Sequence, residues 1–296
     1  MFKKMSKGDI IFTVINTFVM TFMIVVCLYP ILYVLFASFS DSNLLISYRG
    51  ILLRPLGFNL GAYKKVIENQ NIIIGYRNTL FYVALHTALA LVLTIIGAFV
   101  LSRRKFMIKN IMMAMIAFTM IFGGGLIPTF IMMKSIGMYD NIFAIIIPGS
   151  ISAYNLIVMR TSFAAIPVSL EESVKIDGGN DLHVLWNIVI PLSKAIIAVM
   201  ILFYGVGMWN SWFNASIYLR NRNLYPLQLF LREILIGNST DSMMTDSGSS
   251  SASDREAIAE SIKYATIIVS TVPVLIIYPF LQKYFVSGIM IGAIKG

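Results

Sequence analysis

Charge is scarce in this chain. Of 296 residues, 23 are Lys or Arg and 14 are Asp or Glu, together 12%, against about 25% in an average soluble domain. Cysteine is nearly absent: the single Cys27 excludes an internal disulfide, and its apolar surroundings make it a small core residue. No G-x-x-x-x-G-K-[ST] phosphate loop and no H-E-x-x-H metal spacing occur, so the chain lacks a nucleotide site and a zinc site of those kinds. What fills the space is apolar: 58% hydrophobic residues and a mean hydropathy of +0.81. A soluble fold of this length still turns much of its surface to water and could not bury that much apolar area. An ordinary soluble enzyme, a disordered chain and a disulfide scaffold are therefore excluded. The net charge of +9 is scattered between apolar runs rather than gathered on one face, so a membrane protein is expected rather than a nucleic-acid binder.

The sparse charges divide the chain. None occurs between Asp9 and Asp41, Arg77 and Arg103, Lys109 and Lys134, Asp140 and Arg160, Lys194 and Arg220, or Lys263 and Lys283, gaps of 31, 25, 24, 19, 25 and 19 residues. Each is close to or above the roughly 20 residues that cross a bilayer core as a helix. Helices are expected because a helix satisfies its backbone groups internally, and sustained period-two alternation, the mark of a β-barrel, is missing. The reading is an all-α polytopic protein with six transmembrane helices. The first gap is too long for the apolar part of a signal peptide and lacks a small-residue cleavage site, so it is taken as a retained span. Lys3, Lys4 and Lys7, together with Arg103, Arg104, Lys105 and Lys109, place the N-terminus and the 102–110 loop inside, and six spans then put both termini in the cytoplasm. Two longer external segments result. Asp41 to Tyr76 reads as turns with a short amphipathic helix near Leu60 to Asn69. Tyr218 to Ser261 contains a Ser-, Thr-, Asp- and Gly-rich loop from Gly237 to Ser253.

The loop between spans four and five, Pro167 to Pro191, is too polar at first to span and is punctuated as a helix–turn–helix. Ser169 with Glu172 forms a candidate capping box for a helix over Leu170 to Asp177. Gly178 and Gly179 suit the stop. Asn180 or Asp181 starts a second helix that carries Leu182, Leu185, Trp186 and Val189 toward the membrane. Glu172-Ser173-Val174, then Gly178 six residues after the glutamate, then Ile188-Val189-Ile190-Pro191, resembles the EAA signature of bacterial ABC import permeases. The spacing agrees throughout. Ser173, Val174 and Ile190 replace two alanines and a leucine. Ser169-Leu170-Glu171, Asp177-Gly178 and the run from Gln282 to Gly296 resemble the maltose-permease (MalG-like) branch. Leu224-Tyr225-Pro226-Leu227-Gln228 and Tyr278-Pro279-Phe280 resemble its LplC/YtcP-type oligosaccharide permeases.

The resemblance implies a type I ABC importer permease (MetI-like) core over 72–284, with the coupling loop at 167–191. Residues 1–71 would hold the N-terminal cytoplasmic segment, the first span and an external loop, and 285–296 a cytoplasmic tail. It implies no catalytic or metal site, and a coupling helix docked on a cytoplasmic ATPase through Glu171, Glu172, Ser173, Val174, Asp177, Gly178, Ile188 and Pro191. ATP and Mg would be bound by that ATPase dimer, with no cofactor in this chain. A second homologous permease, an extracellular solute-binding lipoprotein, a carbohydrate substrate and membrane lipid complete the partners, in a bacterial cell membrane and without nucleic acid. Residue by residue, simpler roles stand beside these: Glu172 as a cap, Gly178 as a helix stop, Pro191 as a first-turn proline.

For a substrate path the candidates are Asn78, His86, Asn155, Trp209, Asn210, Trp212 and Asn214, which offer hydroxyl-matching groups and aromatic faces. An aromatic belt explains the Trp209–Asn214 stretch equally, and hydrogen-bonded packing explains His86. Gly123-Gly124-Gly125, Pro148-Gly149, Pro30, Pro273 and Pro279 mark expected interruptions of the spans. Arg77 and Arg160 are expected to snorkel to the interfaces. Two further function classes remain open here: an ion-coupled secondary carrier of small solutes, which the lack of charge within the spans opposes, and a membrane scaffold.

Overall fold

The computed structural model describes residues 7–103, 106–236 and 252–293. Among them all regular structure is helical, apart from an isolated antiparallel bridge between Ser40 and Phe58. Among the described residues three helices are each long and apolar enough to cross a membrane, and there are up to six spans if each of three bent helix pairs counts as one. The chain forms two compact units, residues 1–69 with 233–271 and residues 70–232 with 272–296.

The first unit opens with α1 (Lys7–Ser38). Its side chains are exposed from Lys7 to Leu28, Cys27 among them and so not in a core as expected, and it buries only Ala37 and Ser38 at its end. A helix that is apolar all round and uncovered requires an apolar surrounding, which lipid supplies. Below it, Asp41 caps α2 (Ser42–Ser47) by accepting from the N–H groups of Asn43 and Leu44 at 3.0 and 3.4 Å. Helix α3 (Gly61–Glu68) occupies the expected amphipathic stretch. Its Tyr63 hydroxyl bonds Ser38 Oγ at 2.7 Å, and burial pushes its pKa up. Ala37, Leu45 and Leu52 form a small core edged by Tyr33 and Tyr264.

The second unit is built round α4 (Gln70–Ser102), a 33-residue helix of about 50 Å at 1.5 Å per residue. Its buried stripe runs Asn78, Tyr82, His86, Ala90, Thr94, Ala98 and Ser102, one residue every four. This face carries polar and small side chains rather than large apolar ones. Membrane helices associate through such residues, because lipid already satisfies the apolar ones. Against it pack α8 (Ala153–Ala164) and α11 (Lys194–Trp209). Their shared core includes Leu156, Met159, Phe163, Met200 and Tyr204.

The third span is α5 (Lys109–Ile121) followed by α6 (Leu126–Ser135), bent by 112° at the Gly123–Gly125 break. The fourth uncharged stretch holds α7 (Phe143–Ile146) and α8, parted at Pro148-Gly149 as expected. Polar groups cover this break. His86 Nδ1 lies 2.7 Å from the Ile146 carbonyl, which also accepts from Ser150 Oγ at 2.8 Å. Ser152 caps α8 through Asn155 N, and its own N–H reaches Tyr204 Oη. Tyr204 in turn bonds Thr94 at 2.7 Å. By contrast, α1 runs unbroken through Pro30, and α14 (Ala252–Ala293) through Pro273 and Pro279. A lone proline removes one hydrogen bond and leaves a helix to bend, whereas a glycine run or a Pro-Gly pair frees most of a turn. Helix α14 also starts well before Ser261, and α13 (Leu227–Ile236) occupies part of the segment read as loop; most of the Gly237–Ser253 stretch lies outside the described residues.

Candidate functional site

The 167–191 loop folds as two short helices under the end of the α4/α8/α11 core. The first, α9 (Val168–Ile176), begins two residues earlier than the capping-box reading places it. Pro167 is its N-cap, and no side chain caps it. Ser169 lies inside the helix and accepts at its carbonyl from Ser173 Oγ at 2.9 Å. Proline at the boundary presets the entry without a donor to satisfy. The capping box stands instead on the second helix, α10 (Asp181–Leu192), where Asn180 Oδ1 accepts from His183 N at 3.0 Å and the His183 ring turns back to Asn180.

Between them the chain forms a Schellman stop. Gly179 N–H donates to the Val174 carbonyl at 2.8 Å and Gly178 N–H to Lys175 at 3.1 Å. The two glycines divide the work. Gly178 takes the left-handed backbone, φ +79°, and has open space where a Cβ would stand. At Gly179 an added Cβ would lie 2.5 Å from Val174 Cγ1 and 2.9 Å from the Val174 carbonyl oxygen, so the close approach belongs there. A π-turn over Leu185–Val189 then precedes Pro191. Ile190 N–H reaches back to Leu185, and Pro191, with no N–H, imposes no demand on the widened turn. Val184, Leu185 and Val189 are buried, while Leu182 and Trp186, expected to face the membrane core with them, are 63% and 66% exposed. The extra residue per turn shifts the buried face.

Among the described residues two ion pairs hold α9. Glu171 pairs with Arg103, just beyond α4, with both side chains less than one-fifth exposed. Lys175 Nζ lies 2.9 Å from Asp181 Oδ1, with the side chains 46% and 69% exposed. A cavity of about 300 Å³ opens here, lined by Arg103, Phe163, Glu171, Glu172, Lys175 and Asp181. Glu172, Ser173, Asp177 and Gly178 are exposed, Val174 and Ile188 half-buried, and Pro191 exposed. Beside them Ile176 stands 85% exposed, so the loop presents a mixed acidic and apolar face. Sequence reasoning used Arg103 only as an interior marker. Its pairing depends on two residues 68 positions apart, and no local pattern signals that.

The remaining site residues lie in α4, α8 and α11 and beyond the end of α11. Asn78 is buried and donates from Nδ2 to the carbonyls of Asn223 and Tyr225 at 2.7 and 3.0 Å. Tyr82 and Thr79 fasten the same loop at Leu224 and Leu227. His86 and Asn155 are buried at the fourth-span break. Trp209 is buried edge-on to Tyr76, and Asn210 donates back to Val206 at 3.0 Å. Trp212 lies half-buried under the Arg232 guanidinium at 4.1 Å. Asn214 is half-buried in α12 (Phe213–Tyr218). Arg160 donates to the Leu101 carbonyl at 3.2 Å, an internal partner in place of the expected snorkelling. An apolar cavity of about 410 Å³ lies beside Thr87, Gly205, Trp209 and Ile277.

No family model matches the chain. It is 40% identical over 272 residues to the polygalacturonan/rhamnogalacturonan transport system permease protein YtcP of Bacillus subtilis, covering 92% of this chain and 93% of that one. It is 35% identical over 291 residues to LplC of the same organism, covering 98% and 97%. A solved bacterial ABC transporter that imports the acidic polysaccharide alginate contains a chain that superposes with a TM-score of 0.86 at 32% identity, covering 96% of this chain and all of that one. With identity of this order over nearly its whole length, and the same helical fold, the chain belongs to the family of carbohydrate ABC transporter permeases.

Proposed function

We propose that the chain is the transmembrane permease subunit of an ATP-driven importer and passes oligosaccharides delivered by an extracellular solute-binding lipoprotein. The observation that carries the reading is the 167–191 loop. It is a short helix stopped by a Schellman turn, anchored from beneath by Val174, Val184 and Val189, and open outward at Glu172 and Ile176. Such a knob is shaped to seat in a groove of another protein. A cytoplasmic ATPase dimer would bind ATP and Mg there, and a second homologous permease would complete the path. In this arrangement Glu172, Ser173, Asp177 and Gly178 face the ATPase, with Glu171 beside them. Val174, Ile188 and Pro191 hold the loop to the core. Residues 72–284 form the permease core, 1–71 the leading span and external loop, and 285–296 a cytoplasmic tail. Rigid seating turns ATPase closure into tilting of the spans.

Reconstitution of the two permeases, the ATPase and the binding protein in vesicles tests this. ATP-dependent uptake of an oligosaccharide is expected, with Glu172→Ala plus Gly178→Asp lowering coupled hydrolysis at least about tenfold, as for a truncated hot spot. Uphill uptake without the ATPase, driven by an ion gradient, would overturn the proposal.

A further inference from the structure

The two adjacent acids of α9 differ in what they face. Glu172 is exposed, while the Glu171 side chain is 18% exposed and meets Arg103 inside the same subunit. Arg103 is itself immobilised on the end of α4. Its guanidinium lies 4.5 Å over the Phe99 ring, Nε donates to the Phe99 carbonyl at 3.3 Å, and Nε and Nη2 donate to Ser102 Oγ at 3.2 and 2.9 Å. The bond to Phe99 occupies a carbonyl in the last turn of the helix, where carbonyls lack intrahelical partners. The guanidinium is thus a fixed extension of α4, and the carboxylate binds it out of bulk solvent, where such a pair is little screened.

We infer that Arg103 and Glu171 form an internal strut by which α9 moves as one body with α4, so that Glu171 is a positioning residue inside the subunit rather than a contact to the ATPase. The inference rests on the coupling role proposed above. Its mechanical sense comes from α4. The helix whose end carries Arg103 also holds the fourth-span break through His86 and Thr94–Tyr204, and fastens the 223–227 loop through Asn78, Thr79 and Tyr82. A displacement of α9 passed through the strut therefore reaches the fourth-span break and the far end of α4 with no mobile joint between. The second ion pair, Lys175–Asp181, is solvent-exposed and carries little of this load.

The test uses the complete reconstituted transporter. ATP-driven uptake by the unaltered complex checks the parent proposal separately. Glu171→Gln and Arg103→Gln are each expected to raise the ATP hydrolysed per sugar moved about fivefold, while the ATPase still co-purifies, and the exchange Arg103→Glu with Glu171→Arg to restore at least half of the lost coupling. An unchanged ratio in Glu171→Gln, or loss of the ATPase from that complex, overturns the strut, as does an exchange variant that accumulates without recoupling. Should the charge variants fail to accumulate, spin labels at Val100→Cys and Ser169→Cys, on a Cys27→Ser background, decide the matter. Their separation is expected to change by less than ~2 Å between nucleotide states, and a change of about 5 Å, one helical turn, overturns the strut.

Discussion

Asp140 shows how much one exposed side chain can hold. It adopts φ 56°, a left-handed backbone tolerated by aspartate, and its N–H donates to the Tyr218 carbonyl at 2.8 Å. Its carboxylate accepts from the backbone N–H groups of Asn221 and Arg220, and those bonds hold its pKa below the ordinary 3.8. A carboxylate with a depressed folded pKa stabilises fully above the unfolded value and loses that contribution as pH falls through the folded one. Joining of the 135–142 and 218–222 segments is therefore expected to be intact at neutral pH and to weaken on acidification below about pH 4. Asp140→Asn should raise the amide exchange of Arg220 and Asn221 about fivefold at pH 7 and remove the acid dependence. Hydrogen exchange across pH measures both; an unchanged exchange rate in the variant would count against the clamp.

At the scale of the element, α4 carries more of the fold than its composition suggests. Its polar residues were legible as polar positions in a span, which by itself fits a sugar path as well as packing. The structure gives the Asn78 amide two carbonyl partners in the 223–227 loop. Removing it leaves those carbonyls without that donor in a partly buried setting, at a cost of about 1 kcal/mol. Asn78→Ala is accordingly expected to lower the melting temperature of the purified complex while leaving the order of preference among oligosaccharides unchanged. A changed preference at unchanged stability would instead place Asn78 in the path. The helix–turn–helix of the 167–191 loop was more legible, because glycine, asparagine and proline act on their own neighbours. Its start was misplaced since Ser169 and Glu172 fit a capping box locally, yet Pro167 already ends the preceding turn.

For the whole molecule, the shortage of charge becomes a statement about energy. The six uncharged stretches offer no ionisable pair for an ion gradient, which fits a permease subunit whose ATPase is a separate chain. The membrane location follows from the apolar helices and the relatives; the proposed orientation rests on the basic residues of the 102–110 loop. A fluorescent protein fused after Gly296 is expected to fluoresce, and alkaline phosphatase at the same place to stay inactive. The reverse pair of results would overturn cytoplasmic termini.

By itself the sequence determined the six uncharged stretches, the helical class, the helix–turn–helix of the 167–191 loop and the family, because each depends on composition or on residues within a few turns of one another. Only the tertiary structure decided which polar residues inside the spans are occupied by the fold, that Gly179 rather than Gly178 needs its missing Cβ, and that Glu171 turns inward to Arg103. Those outcomes join residues far apart in the chain, and in lipid, where apolar burial does not sort one helix face from another, no periodic pattern announces which faces will meet.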